Sequence, residues 1–150
     1  IGRIEQIDYQ TELVTVCFDD KRAEYAFDML GELEPAYAMT VHKSQGSEYR
    51  AVVLSAFAGS PYLLTRSVLY TAITRARELL IVKLSDLSQQ KSVSDAIQAR
   101  KQTQMKSFEG YGIEQYDLLS NSIVEVQGNY ILFVVHENAA AAAQAFLKAL

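Results

Sequence analysis

The stretch AYAMTVHKSQG, residues 36–46, decides how this chain is interpreted, and it is followed directly by Ser47, Glu48 and Tyr49. Its first four residues are apolar or aromatic and predict a strand, whereas most of those after them are polar. Hydrogen-bonding or charged side chains are dense over nine residues, and they include Thr40, His42, Lys43, Ser44, Gln45 and Glu48. A core does not need so many polar groups, because each one that is buried must find a partner. The stretch is typical of a site that binds phosphate or a polynucleotide.

The charge of the chain is unevenly distributed. Its 150 residues carry a net charge of −4, which by itself argues against nucleic-acid binding. Residues 1–35 hold three basic and nine acidic side chains, whereas residues 36–78 hold five basic and two acidic ones. The five basic residues are Lys43, Arg50, Arg66, Arg75 and Arg77. The positive charge therefore coincides with the polar stretch.

Composition argues against several other classes of protein. The chain has no run of about 18 apolar residues, which a membrane span would need. It also has no basic segment followed by an apolar one, which a signal peptide would need. Cys17 is the single cysteine and there are only two histidines, so we expect neither an internal disulfide nor a metal site. These features predict a cytoplasmic protein with no membrane partner. The chain lacks an initiator Met, and we expect it to be part of a longer protein.

Residues 1–35 predict a small antiparallel β unit. Three short strands joined by polar turns are expected, over residues 2–7, 13–18 and 23–27. Val14, Val16 and Phe18 alternate along the second strand and should share one face, and Ile4 should face inward in the first. This pattern is typical of a meander or of part of a small SH3-like barrel.

Residues 36–84 predict an α/β fold. After the strand at residues 36–39, the apolar run at 51–56 predicts a central strand buried on both faces. Residues 64–76 predict a helix and residues 79–84 predict another strand. A strand, a helix and a strand in this order imply a parallel sheet with a crossover helix.

The polar side of the predicted helix ends in arginine. Three hydroxyl side chains share that side with Arg75: Ser67, Thr71 and Thr74. The planar guanidinium suits phosphate, because it donates paired, charge-assisted hydrogen bonds. From these residues alone, solvated surface positions for Arg75 and Arg77 remain an open alternative.

Residues 36–49, AYAMTVHKSQGSEY, followed by LYTAITRAR at residues 69–77, resemble motif V and motif VI of superfamily 1 DNA helicases. The similarity is to the RecD-like branch, which includes the exonuclease V alpha subunit. The small β unit before motif V also resembles the SH3-like insertion of that branch. The resemblance covers roughly residues 1–100, and the two motifs in this order and at this spacing make it specific.

The resemblance implies a domain organisation and a catalytic residue. Residues 1–35 would be an SH3-like unit, and residues 36–105 the C-terminal part of a second RecA-like (P-loop NTPase) motor domain with a parallel sheet. Arg75 would be the arginine finger that reaches the γ-phosphate of ATP. Such a residue is worth roughly 10³–10⁵-fold in rate.

Motif V would divide its work between two ligands. By the resemblance, Thr40, His42 and Lys43 would contact single-stranded DNA. Three residues would lie near the nucleotide with Arg75: Gln45, Gly46 and Glu48. Structural alternatives stay open for four of them, in which Thr40 caps a helix, His42 is structural, Lys43 is a surface lysine and Glu48 only pairs with an arginine.

The expected function is an ATP-dependent DNA helicase that acts in recombination and repair. ATP and Mg²⁺ would be held mainly by an N-terminal motor domain, because this chain contains neither a Gly-Lys-Ser/Thr phosphate loop nor an Asp-Glu magnesium motif. We therefore expect the chain alone to hydrolyse no ATP. Its expected partners are single-stranded DNA, the N-terminal remainder of the helicase and other recombination subunits. A non-catalytic module that binds nucleic acid or protein is the alternative.

Residues 106–150 depart from the resembled pattern. After a polar helix over residues 92–105, residues 109–120 are expected to be irregular, and a hairpin is expected around residues 127–129. Asn138 could cap a final helix whose apolar anchors would be Phe146, Leu147 and Leu150, with the alanine run as poor core. The segment could cover a sheet edge, form an appended domain or mediate association.

Overall fold

The computed structural model describes residues 1–56 and 65–150, which divide into two compact units, Ile1–Met39 and Thr40–Leu150. Residues 59–61, whose Gly-Ser-Pro sequence predicts a loop, and the predicted helix start at Leu64 lie outside the described residues. None of the helices in the described part of the chain has the length and apolar content that crossing a membrane requires.

The first unit is a three-stranded antiparallel sheet followed by a 3₁₀ helix, Phe27–Glu32. Its strands stand in chain order: β1 (Arg3–Asp8), β2 (Leu13–Phe18) and β3 (Lys21–Ala26). The three predicted strands are confirmed, and Val14 and Val16, which are predicted to share a face, are both buried. The prediction for Ile4 is wrong. It pairs with Val16 but lies on an edge strand, and its side chain is 58% exposed.

The second unit is built on a four-stranded mixed sheet in the order β4-β5-β7-β6. Its strands are β4 (Tyr49–Ala56), β5 (Ala76–Leu84), β6 (Ile123–Gln127) and β7 (Tyr130–Val134). β4 and β5 are parallel, as predicted, whereas β7 runs antiparallel to both β5 and β6. The expected parallel sheet is therefore right for one pair only, because the C-terminal hairpin adds to the other side of β5.

Helices cover both faces of this sheet. They are α1 (Arg66–Ile73), α2 (Gln90–Phe108), α3 (Ile113–Ser120) and α4 (Ala139–Ala149). On one face α1 and α2 pack on alternate residues of β5 and β7, among them Leu80 and Phe133. On the other face α4 packs on the residues in between, among them Leu132 and Val134. Because successive side chains point to opposite faces of the sheet, the same two strands contribute residues to both cores.

The strand that is buried on both faces is β7, in which residues 131–134 are all buried, and the prediction that residues 51–56 fill this role is wrong. In β5 the fully buried Leu80 and Val82 lie in the core beneath α1 and α2. β4 is at the edge of the described sheet, and Val53 is 71% exposed. An apolar run does not reveal which strand will lie beside it, so composition alone could not distinguish the edge from the centre.

Two further predictions about local structure are wrong. Residues 36–39 form a bend with exposed side chains rather than a strand, so they lack the burial that stabilises strands. Residues 109–120 contain α3 rather than irregular structure. Gly110 has φ +88° and follows the end of α2 in the left-handed conformation that terminates helices. The glycines there separate two helices.

The C-terminal hairpin is confirmed, with Gly128 at φ +56° in its turn. The final helix is also confirmed, but its anchors differ from the prediction. Ala139, Ala143 and Phe146 are buried, whereas Leu147 and Leu150 are exposed, and the side chain of Asn138 makes no capping bond. Alanine forms this core because its small side chain allows the helix to approach the sheet closely.

The alanine face of α4 should not accept larger side chains. Ala143→Leu is expected to destabilise the second unit by about 1–3 kcal/mol, because it overpacks the contact with β7. Ala141→Leu, on the exposed side of the same helix, is the matched control and should stay within about 0.5 kcal/mol of wild type. Urea unfolding followed by circular dichroism measures both. Equal stabilities would contradict the assigned packing of α4.

Candidate functional site

Residues 40–46 form a single helical turn that leads into β4. The Ser44 N–H donates to the Thr40 carbonyl at 3.1 Å, and the Lys43 N–H donates to the Thr40 hydroxyl at 3.3 Å. Thr40 therefore caps the turn, as one of the two sequence interpretations proposed. Gly46 ends the turn with φ +86°, as predicted, and the space around its Cα is open, so the reason for glycine is backbone conformation alone.

The turn separates one anchoring residue from several outward ones. Ser44 is buried, and its hydroxyl donates to the Val41 carbonyl at 2.8 Å. The candidate DNA-contacting residues Thr40, His42 and Lys43 are exposed, and so are the candidate nucleotide residues Gln45, Gly46 and Glu48. The sequence interpretation gave Ser44 no role, and the structure assigns it the anchoring one. The exposed side chains around it are accessible to a ligand.

Arg75 lies in the turn between α1 and β5 and is half-buried. The prediction that it belongs to the helix is wrong by two residues, because α1 ends at Ile73. Its guanidinium donates to the Thr71 carbonyl at 3.1 Å, to the Ser47 carbonyl at 2.8 Å and to the Thr74 hydroxyl at 3.0 Å. The Ser47 contact joins the two sequence motifs directly.

The end of α1 accounts for the local conformation of Arg75. The last carbonyls of a helix have no partner within the helix and must find one elsewhere. The Thr74 N–H donates to the Tyr70 carbonyl, and the Arg75 N–H donates to the Ala72 carbonyl. The Thr71 carbonyl accepts hydrogen bonds from the Thr74 hydroxyl and from the Arg75 guanidinium. The chain then enters β5, since the Tyr49 N–H donates to the Arg75 carbonyl at 2.8 Å.

Arg100 on α2 completes this arrangement, and sequence reasoning missed it. It is 4% exposed and donates to the carbonyls of Ile73 and Ala76. Burial lowers the pKa of its guanidinium, while the charge of Glu48 acts in the opposite direction. A signal was present in the sequence, because Arg100 continues the buried stripe that Val93, Ala96 and Ile97 form at helical spacing along α2.

Two ion pairs lie where β4 and β5 begin. Arg50 and Glu78 form two parallel bonds of 3.0 Å each, and Arg77 lies 3.7 Å from Glu48. The Arg50 guanidinium lowers the pKa of Glu78 chiefly through this hydrogen bonding. Glu48 therefore pairs with an arginine of motif VI, which was the structural alternative left open for it, and Arg77 lies on β5.

No group of three or more His, Cys, Asp or Glu side chains in residues 1–56 and 65–150 is arranged to hold a metal ion. The chemistry available in the described site is that of hydroxyl, amide and guanidinium donors around the junction of β4, α1 and β5. Such donors bind anions, and arginine in particular binds phosphate.

Two protein families match the chain. The family described as UvrD-like helicase C-terminal domain matches residues 35–82, which include the turn at residues 40–46 and Arg75. The family described as Domain of unknown function (DUF4358) matches residues 62–136, half of the chain. No solved structure gives a significant match. Residues 35–82 are therefore similar to a helicase C-terminal domain.

Several curated relatives are similar to part of the chain. The RecBCD enzyme subunit RecD of Mycobacterium tuberculosis is 43% identical over 65 residues, which are 43% of this chain and 11% of the relative. The ATP-dependent RecD2 DNA helicase of Deinococcus radiodurans is 40% identical over 65 residues, 43% of this chain and 9% of the relative. The matched region thus spans about a tenth of these relatives. The chain belongs to the family described as Domain of unknown function (DUF4358), whose match spans half of it. It is also similar to the C-terminal part of RecD-like superfamily 1 helicases.

The Arg50–Glu78 pair yields a pH prediction. Because the pKa of Glu78 is lowered in the folded state, the stabilisation by the pair is present above the ordinary pKa of glutamate and is lost as the pH falls through the lowered value. Arg50→Gln should therefore raise the pKa of Glu78 towards its ordinary value, as measured by the carboxyl NMR shift against pH. Arg77→Gln is the control and should raise it less, because Arg77 acts on Glu78 only through its charge. A pKa that is unchanged in Arg50→Gln would contradict the pairing.

Proposed function

We propose that this chain is the C-terminal part of the second RecA-like motor domain of an ATP-dependent DNA helicase that moves along single-stranded DNA in recombination and repair. The observation that carries the proposal is the hydrogen bond from the Arg75 guanidinium to the Ser47 carbonyl at 2.8 Å. It connects the arginine of motif VI to the end of motif V, so a change at the nucleotide can reach the DNA-contacting turn. The helicase relatives support the proposal.

Arg75 would act as the arginine finger. Its three bonding partners are two backbone carbonyls and one hydroxyl, all uncharged. A γ-phosphate is a stronger acceptor than a carbonyl or a hydroxyl, because its oxygens carry negative charge and can accept two parallel bonds from one guanidinium. Exchange of a carbonyl for phosphate would therefore be favourable when ATP is bound, and would stabilise the charge that develops during transfer.

The turn at residues 40–46 would contact both ligands. The Thr40 hydroxyl accepts the Lys43 N–H and still has its own hydrogen to donate to a DNA phosphate. His42 and Lys43 would contact the same strand. On the nucleotide side we place Gln45, Gly46 and Glu48, which flank Ser47 in the sequence. Motif V would thereby couple the state of the nucleotide to the affinity for DNA.

The remaining parts follow from this assignment. ATP and Mg²⁺ would be held mainly by an N-terminal motor domain of the same helicase, with other recombination subunits as further partners. Residues 1–35 would be the SH3-like unit and residues 36–105 the motor segment. Residues 106–150 would cover the sheet edge, since the β6–β7 hairpin pairs with β5.

A second candidate function is a non-catalytic module that binds nucleic acid or protein. It is favoured by the same three bonds of Arg75, because a guanidinium held by local acceptors is what a purely structural arginine shows. The two functions differ in whether ATP hydrolysis depends on Arg75.

Arg75→Ala in the intact protein tests this difference. The proposed role predicts that kcat for DNA-dependent ATP hydrolysis falls about 10³-fold or more, while affinity for single-stranded DNA is retained. Lys91→Ala, which removes an exposed lysine paired with Asp95 on α2, is the control and should keep full activity. Full hydrolysis by Arg75→Ala, with intact DNA binding, would show that Arg75 is structural.

The DNA contact of motif V makes a separate prediction. Lys43→Ala should weaken binding to oligo-dT and reduce the slope of log K against log salt by about 0.7, the value for one phosphate contact on a single strand. Lys106→Ala removes the same charge from the last turn of α2 and should leave the slope unchanged. Fluorescence anisotropy over a salt series measures both. Identical slopes in the two variants would remove Lys43 from the DNA site.

A further inference from the structure

Arg100 lies outside both sequence motifs and nevertheless contacts the turn that carries Arg75. Its Nη1 donates to the carbonyl of Ile73, the last residue of α1, and its Nη2 donates to the carbonyl of Ala76, the first residue of β5. Only Thr74 and Arg75 lie between these two carbonyls. One guanidinium therefore holds both ends of the turn, and its planar fork fixes their relative orientation.

The burial of Arg100 is costly. A buried cation loses its hydration, and an apolar residue of similar volume would often fill the same space with no loss of stability. The Arg100 Nε has no hydrogen-bond partner in the described structure, and the guanidinium carbon lies 6.0 Å from the centre of the Phe133 ring. The acceptors of its Nη1 and Nη2 are backbone carbonyls. This cost points to a requirement for the fork at this turn.

We propose that Arg100 is a positioning residue for ATP hydrolysis. It fixes the backbone of Thr74 and Arg75, and through that backbone it sets where the Arg75 guanidinium points. This inference rests on the proposed arginine-finger role of Arg75. A merely structural Arg100 would instead cap α1 with no specific effect on the chemical step.

A double-mutant cycle in the intact helicase separates these roles. Arg100→Met should lower kcat for ATP about 10²-fold, the effect typical of a catalytic group misplaced by about 1 Å, with KM for ATP little changed. In the Arg75→Ala background the same substitution should lower kcat less than about twofold, because the residue through which it acts is gone. Arg100→Lys keeps the charge but not the fork, and its kcat should fall between those of Arg100→Met and wild type.

Lys101→Met is the matched control on α2, since Lys101 donates to the Ser120 carbonyl and does not contact the turn. Equal losses of kcat from Arg100→Met in both backgrounds would overturn the positioning role and leave the proposed function intact. Full kcat in Arg75→Ala alone would overturn both. If circular dichroism shows that Arg100→Met does not fold, Arg100→Lys in the two backgrounds provides the same comparison.

Discussion

The second unit depends on one constraint, which is that α1 must end and β5 must begin within three residues while every carbonyl at the helix end finds a donor. Backbone N–H groups satisfy two of these carbonyls, and Thr74 with Arg75 satisfies a third. Arg100 satisfies the carbonyl of Ile73. The Arg75 carbonyl then receives the Tyr49 N–H, which brings the start of β4 to the same place. The need to satisfy a helix end thus brings three elements and two arginines together.

Local patterns in the sequence predict much of the fold. Alternation along residues 13–18 predicts β2, and a glycine between two apolar runs predicts the β6–β7 hairpin. The order of strands in the sheet is not a local property. Nothing in residues 51–56 shows that β4 lies at an edge, or that β7 will pair with the far side of β5. Neighbour relations between strands distant in sequence decide burial, so hydropathy assigns the central strand wrongly.

In the candidate site, too, some residues can be predicted from the sequence and others cannot. Residue types and spacing are enough to single out the turn at residues 40–46 and Arg75, because polar groups of this density are unusual after an apolar stretch. Ser44 and Arg100 escape notice, since a serine among polar residues and an arginine in a polar helix look solvated. Only the stripe that places Arg100 seven residues after Val93 marks it as buried. Anchoring residues are harder to find than contact residues, because their role lies in backbone bonds.

The electrostatics of the turn favour an anion. Arg75 donates to two carbonyls and a hydroxyl, and Arg100 donates to two carbonyls. None of these acceptors carries a charge. Burial lowers the pKa of Arg100 most, and the like charge of Arg75 lowers it further. Glu48 opposes this effect, but it also pairs with Arg77. If the proposed function is correct, a bound phosphate would accept the donors of Arg75 and reduce the repulsion between Arg75 and Arg100. The repulsion would return when the phosphate leaves, which would give the turn a physical reason to respond to the nucleotide.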